Sequence, residues 1–204
     1  MEKIKVAVLV SGGGTNLGAL IAAERDGIIK SGKISLVISN KPGAYALERA
    51  YAAGIEALTV TKAECGSQEA FESRLIEELS SRGIELIVLA GFMAILSEKF
   101  TSHYKDRIIN VHPSLIPSFC GKGYYGLRVH EAALEYGVKV TGATVHYVNE
   151  IPDGGKIILQ KSVDIDDRDT PQSLQKRVME NAEWIILPKA CEIVSQKLLS
   201  ERNI

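Results

Sequence analysis

The stretch IKVAVLVSGGGTNLGAL, residues 4–20, decides how the rest of the chain is read. Residues 4–12 form a short run rich in Val, the composition of a strand buried on both faces of a parallel sheet. Glycines follow, and from Leu17 to Arg25 the apolar residues recur at helical spacing. The alternation then continues. Strand-like runs at 34–40, 56–60, 85–91 and 107–112 are interleaved with helix candidates at 44–53, 68–82 and 97–104. This order predicts βαβ units in a Rossmann-like, doubly wound α/β fold with a mostly parallel sheet. After Gly126 the pattern changes to a helix candidate at 128–136, two longer strand-like runs at 139–148 and 156–165, and one long helix at about 171–199. These two strands are expected to be antiparallel. No repeat or low-complexity linker interrupts the chain, so residues 1–204 are read as a single domain.

At 204 residues, 46% apolar and 24% charged, the chain is long enough for one well-buried core. A formal charge of -1, with no sustained Lys/Arg stripe, argues against nucleic acid or a membrane surface as partner and for a small substrate. The N-terminal MEKIKVAVLV has an acidic residue at position 2, a short apolar stretch and no cleavage site after it, and reads as a first strand rather than a signal. No run of about 18 apolar residues is present. Cys65, Cys120 and Cys191 are scattered and odd in number, which fits free thiols in a reducing, cytoplasmic setting and offers no metal-ligand spacing. Composition is compatible with a monomer or a homodimer.

In open α/β sheets, ligands sit beyond the carboxyl ends of the strands. After the first strand, SGGGTNLGAL (residues 11–20) supplies backbone N–H groups, a hydroxyl and the positive end of a helix, which suit an anion. The dinucleotide pattern fails because the sixth position of G-x-G-x-x-G is Leu17 and the second strand ends in SNK. The triphosphate loop fails because Ala19 and Leu20 follow Gly18. A single phosphate remains, as on a sugar phosphate; a turn needed only for tight packing is the alternative. After the fourth strand, AGFMAILS (90–97) is uncharged and could wall a flat ring or simply be core. After the fifth, NVHPSLIP (110–117) sets Asn110 and His112 on one face of a strand, since side chains at i and i+2 point the same way. An amide beside an imidazole is a plausible oxyanion site, and His112 can move protons near neutral pH; a turn-forming Asn and a packed His are the bland alternative. In NEIPDGG (149–155), Asp153 either caps its own turn or meets His112 and orients it.

The segments SGGGTN, LAGFMAILS, NVHPSLIPSF-x-G and TVHYV followed by DGG-x-I-x-x-Q, in this order and spacing, resemble the folate-dependent formyltransferase family. Within it they are similar to the glycinamide ribonucleotide formyltransferase group of purine synthesis. The resemblance covers nearly the whole chain. Asn110-x-His112 with PSLIP and the Asp153-Gly-Gly run belong to the wider family, and the glycine loop narrows the match. It implies the formyltransferase fold, with residues 1–112 as a phosphate-binding βαβ half and 113–204 as the folate-site and C-terminal part. It implies formyl transfer from 10-formyltetrahydrofolate to the amine of glycinamide ribonucleotide, giving formylglycinamide ribonucleotide and tetrahydrofolate in de novo purine (IMP) synthesis. Carried over residue by residue, Asn110 and His112 would stabilise the oxyanion and Asp153 would assist proton transfer. Gly13, Gly14, Thr15 and Asn16 would hold the phosphate, with Glu183 on the ribose. Met93, Ala94, Ile95 and Leu96, with Asn110 and the loop Asn149, Glu150, Ile151, Pro152 and Asp153, would form the folate pocket. No metal is implied, because the formyl group arrives activated on the folate nitrogen.

Two departures accompany the resemblance. Some members carry Arg where this chain has Ala94, which alters contacts to the folate tail. The stretch SFCGKGYYGLRVHEA is longer than in the shorter members, and residues 121–126 are expected to form a mobile lid; Lys122 there either steers an anion or is simply solvated. A formyltetrahydrofolate deformylase would use the same Asn, His and Asp on water, but similar enzymes carry an N-terminal regulatory domain. A methionyl-tRNA formyltransferase would need a C-terminal RNA-binding extension and a basic face, whereas this chain ends in a helix and SERNI. A non-catalytic sugar-phosphate-binding module would leave Asn110, His112 and Asp153 without a role.

Overall fold

A computed structural model describes residues 2–202; Met1 and, of the terminal SERNI, Asn203 and Ile204 lie outside the described residues. In chain order the elements are β1 (Ile4–Val10), α1 (Thr15–Arg25), β2 (Gly32–Ser39), α2 (Tyr45–Ala52), β3 (Glu56–Thr59), α3 (Lys62–Cys65), α4 (Gln68–Ser81) and β4 (Leu86–Leu89). Then follow α5 (Glu98–His103), β5 (Ile108–His112), α6 (Leu127–Tyr136), β6 (Val140–Tyr147), β7 (Ile157–Asp164), α7 (Pro171–Val178) and α8 (Trp184–Glu201).

The strands form one seven-stranded sheet in the order β3-β2-β1-β4-β5-β6-β7. The pairs from β3 through β5 are parallel, and β6 and β7 add antiparallel. This is the expected mostly parallel, doubly wound sheet with antiparallel strands in the C-terminal third.

The alternation of β1 shows why its sequence is continuously apolar. Val6, Val8 and Val10 enter a core with Leu17 and Leu20 of α1, Ala46 and Ala50 of α2, and Ala190 and Val194 of α8. Ala7 and Leu9 point the other way, onto Phe71, Leu75 and Leu79 of α4 and Phe100 of α5. Both faces are covered, so neither set of alternate positions can be polar. Each large, fully buried side chain among these contributes roughly 1.5–3 kcal/mol.

Two features differ from the sequence-based expectation. The short helix α3 was not anticipated; a capping box between Thr61 and Glu64 starts it and Gly66 at φ 82° ends it. The single long helix expected at 171–199 is divided by a π-helical turn, Met179–Glu183, between α7 and α8. Pro188 lies inside α8, where it has no N–H for the Trp184 carbonyl and its ring crowds that carbonyl, and the widened turn immediately precedes Trp184. Among the described residues no helix is long and apolar enough to cross a membrane.

The strand order turns at β1 and β4: β2 and β3 lie on one side, β5 to β7 on the other. Loops leaving the carboxyl ends of β1 and β4 therefore diverge, opening the crevice in which such sheets bind ligands.

Candidate active site

The register of β5 assembles the polar face. Asn110 and His112 share one face of the strand, and across the antiparallel pairing they stand opposite His146 and Thr144 of β6. Asn110 Nδ2 lies 3.2 Å from His146 Nε2. His146 Nδ1 lies 2.7 Å from the Tyr147 carbonyl oxygen, so Nδ1 carries the proton and Nε2 accepts from Asn110. An amide has two N–H donors, which leaves the second one of Asn110 free. His146 was not singled out in the sequence; its only signal there was the period-two alternation of TVHY.

Asp153 reaches this face from the β6–β7 connection. Its carboxylate lies 3.5 Å from His112 Nδ1 and 3.6 Å from His146 Nε2, and accepts the Gly121 N–H at 2.8 Å. Asp153 has φ 56°, a left-handed conformation uncommon for a residue other than glycine. The Gly pair behind it has a steric reason: a Cβ on Gly155 would come within 1.7 Å of the Tyr147 carbonyl oxygen. On the other edge of His112, Nε2–H donates to the Phe119 carbonyl at 2.8 Å, and Phe119 is itself held at φ 49°. The segment expected as a lid, residues 121–126, is thus fastened to Asp153 at Gly121, and Phe119 just before it is fastened to His112.

Burial lowers the pKa of His112, and the nearby His146 acts in the same direction; the Asp153 charge and the Phe119 carbonyl oppose this but do not overcome it. Burial would raise Asp153, but the His146 and His112 rings beside it and the Gly121 N–H that donates to it hold it below the ordinary carboxylate range. A neutral imidazole therefore faces an ionised carboxylate. With Nε2–H occupied by Phe119, Nδ1 is unprotonated, and a 3.5 Å gap separates two acceptors across which a proton can be held. His130 of α6 is 1% exposed, and neither of its ring nitrogens has a hydrogen-bond partner. Burial, with His112 adding, pushes its pKa down to about 4.

The glycine loop forms a second group. Gly14 precedes α1 at φ 69°, and a Cβ there would meet Ala46 Cβ at 2.6 Å, so α2 packs too closely for any side chain. The helix has no side-chain cap and no acidic residue in its first turn, which leaves the first-turn N–H groups near Thr15 and Asn16 for an anion. Arg49 Nε donates to the Gly13 carbonyl at 2.9 Å, placing a guanidinium on this loop that sequence reading did not single out. Asn16 Nδ2 donates to Glu183 at 2.7 Å, and Thr15 Oγ1 lies 3.8 Å from Met179 Sδ. Both partners belong to the π-helical turn. Burial raises the Glu183 pKa to about 7 against the lowering effect of Asn16.

Of the remaining candidates, Met93, Ile95 and Ile151 are 49%, 76% and 58% exposed, large apolar side chains standing in solvent. Ala94 packs against the second core, and Leu96, 7% exposed, is part of it. Asn149 accepts the Ile151 N–H at 3.0 Å, which shapes the turn through Glu150 and Pro152 toward Asp153.

The chain belongs to the formyl transferase family, whose model matches residues 4–191. Among relatives it is 42% identical to the phosphoribosylglycinamide formyltransferase of Escherichia coli K12, covering 91% of this chain and 84% of that protein. It is 44% identical, over 95% of its length, to the trifunctional purine biosynthetic protein adenosine-3 of Gallus gallus. The chain spans 19% of that protein and 13% of its Drosophila melanogaster counterpart. The crystal structure of glycinamide ribonucleotide transformylase 1 from Symbiobacterium toebii superposes with a TM-score of 0.89 at 40% identity, covering 96% of this chain and 89% of that one. The resemblance to the glycinamide ribonucleotide formyltransferase group is therefore borne out.

Proposed function

We propose that this chain transfers the formyl group of 10-formyltetrahydrofolate to the amine of glycinamide ribonucleotide, as a cytoplasmic enzyme of purine synthesis acting on small molecules. The observation that carries the reading is the convergence of Asn110, His112, His146 and Asp153 on one face of the β5–β6 pair. The uncapped start of α1 with Arg49 suits the substrate phosphate, and Glu183 on Asn16 suits ribose hydroxyls. Residues 1–204 act as one domain in this reading. The exposed Met93, Ile95 and Ile151 fit an apolar ring system that needs flat, dry walls.

The folate supplies a formyl group already activated on its nitrogen. Asn110, oriented by His146, offers its second N–H to the negative charge that develops on the formyl oxygen as the amine attacks. Such a donor contributes on the order of 10²–10³ in rate. As the new C–N bond forms and the old one breaks, the amine gives up one proton and the departing nitrogen takes one. His112 Nδ1 can hold that proton against the ionised Asp153, while Phe119 keeps the imidazole in place. Met93 and Ile151, once covered, would exclude the water that competes with the amine.

The test is an absorbance assay with a 10-formyl folate donor, with and without glycinamide ribonucleotide. Folate product that depends on the amine is the expected result. Equal product without the amine would make water the acceptor and the protein a deformylase. No product from folded protein in either case would overturn the assignment.

A further inference from the structure

One hydroxyl joins three strand ends at the switch point of the sheet. Ser11, the first residue after β1 and 7% exposed, accepts the Met93 N–H at 2.8 Å and donates to Asn40 Oδ1 at 2.6 Å. Asn40, just after β2, returns its own N–H to the Val10 carbonyl at 3.3 Å. Met93 lies in the first half of the apolar segment after β4, residues 90–97. The far end of that segment is anchored separately. Glu72, buried in α4, accepts the Ser97 N–H at 2.7 Å and the Ser97 hydroxyl, while Gln68 Nε2 bridges Glu72 and the Ile95 carbonyl at 2.7 and 3.0 Å. Met93 is held by the first anchor and Ile95 by the second, and their exposed side chains flank Ala94.

We propose that Ser11 is a positioning residue that couples the phosphate loop to the apolar segment, so that an anion on the loop tightens the wall on which the folate ring would lie. The proposal rests on the function proposed above for the identity of the two ligands. An anion held by the first-turn N–H groups of α1 immobilises the loop from Ser11 to Asn16. The Ser11 hydroxyl already donates its one proton and accepts one, so it cannot shift without leaving a shielded group unpaired. The Glu72 end is tied to helices alone and does not sense the loop. Coupling of this kind is reciprocal, so the folate would in turn favour the phosphate.

The test reads amide hydrogen exchange across residues 91–97 in the full chain, with and without inorganic phosphate. Phosphate is expected to slow exchange at Met93 roughly tenfold in the unaltered protein, the scale of one net hydrogen bond. The same slowing is expected in Asn40→Asp, which keeps an acceptor for the Ser11 hydroxyl. It should be absent in Ser11→Ala. A phosphate effect that survives in Ser11→Ala overturns the proposal, and so does its absence in the unaltered protein. If Ser11→Ala does not fold, Ser11→Gly, which also removes the hydroxyl that accepts the Met93 N–H, is read the same way. In turnover, Ser11→Ala should raise the KM of the folate donor by a larger factor than it lowers kcat. Exchange needs no catalysis, so coupling without turnover would fail only the proposed function, and turnover without coupling would fail only this inference.

Discussion

Asn110 and His146 face each other across the β5–β6 pairing with Nδ2 3.2 Å from Nε2, and the Tyr147 carbonyl sets the tautomer that makes this contact possible. The amide is therefore aimed by its neighbour. Asn110→Ala should lower kcat by about 10²–10³ through loss of the oxyanion donor. His146→Ala should lower kcat by about tenfold to a hundredfold, and adding it to Asn110→Ala should cost little more, because both act through one amide. Steady-state kinetics of the four proteins decide this; additive losses would mean that His146 acts elsewhere.

His112→Ala should abolish turnover while leaving binding of a phosphate ligand largely intact, as calorimetry with the ribonucleotide would show. Turnover that persists would remove His112 from the chemistry.

The depressed His112 pKa places the acid limb of kcat/KM below pH 6.5, since the imidazole must be neutral to take a proton. The Asp153 charge raises that pKa. Asp153→Asn should therefore move the His112 titration to still lower pH, measured by ring-proton NMR, in addition to slowing catalysis.

Stability against pH should reveal two opposed buried groups. His130 takes a proton at about 4 in the native protein, against 6.5 ordinarily, so native stability falls as pH drops from 6.5 to 4, by roughly 3 kcal/mol. Glu183 releases its proton at about 7 against 4.5, so its contribution is complete below 4.5 and is lost as pH rises to 7, again by roughly 3 kcal/mol. Between pH 4.5 and 6.5 the two nearly cancel. Urea midpoints should show acid sensitivity sharpened in Glu183→Gln and reduced in His130→Leu; parallel profiles in both variants would refute this balance.

Gly14→Ala should weaken the ribonucleotide by raising its KM, because the new Cβ meets Ala46 and φ 69° strains any side chain. Adding Ala46→Gly should recover only a small part of the loss, because it removes the 2.6 Å contact with Ala46 Cβ but leaves Ala46 Cα at 2.9 Å. A double variant no better than the single one would assign the effect to the backbone angle and the close backbone of residue 46 rather than to the Ala46 methyl group.

By itself, the sequence determined the strands, most helices and the polar motifs at strand ends. Burial on both faces forces a continuous apolar run such as residues 4–10, and glycine is favoured where the backbone turns left-handed and required where another chain segment comes as close as Ala46 comes to Gly14. Those constraints are local and leave local marks. Asn110 and His112 were legible because a strand has period two. What only the tertiary structure decided are the pairings between distant segments. His146 reaches Asn110 through the register of an antiparallel pair, and Glu183 meets Asn16 across 167 positions through a π-helical turn beside Pro188. Met93 hangs on Ser11 because β4 lies against β1. No periodicity encodes such contacts, since a side chain's partner depends on which strands become neighbours, and that follows from burying the whole core at once.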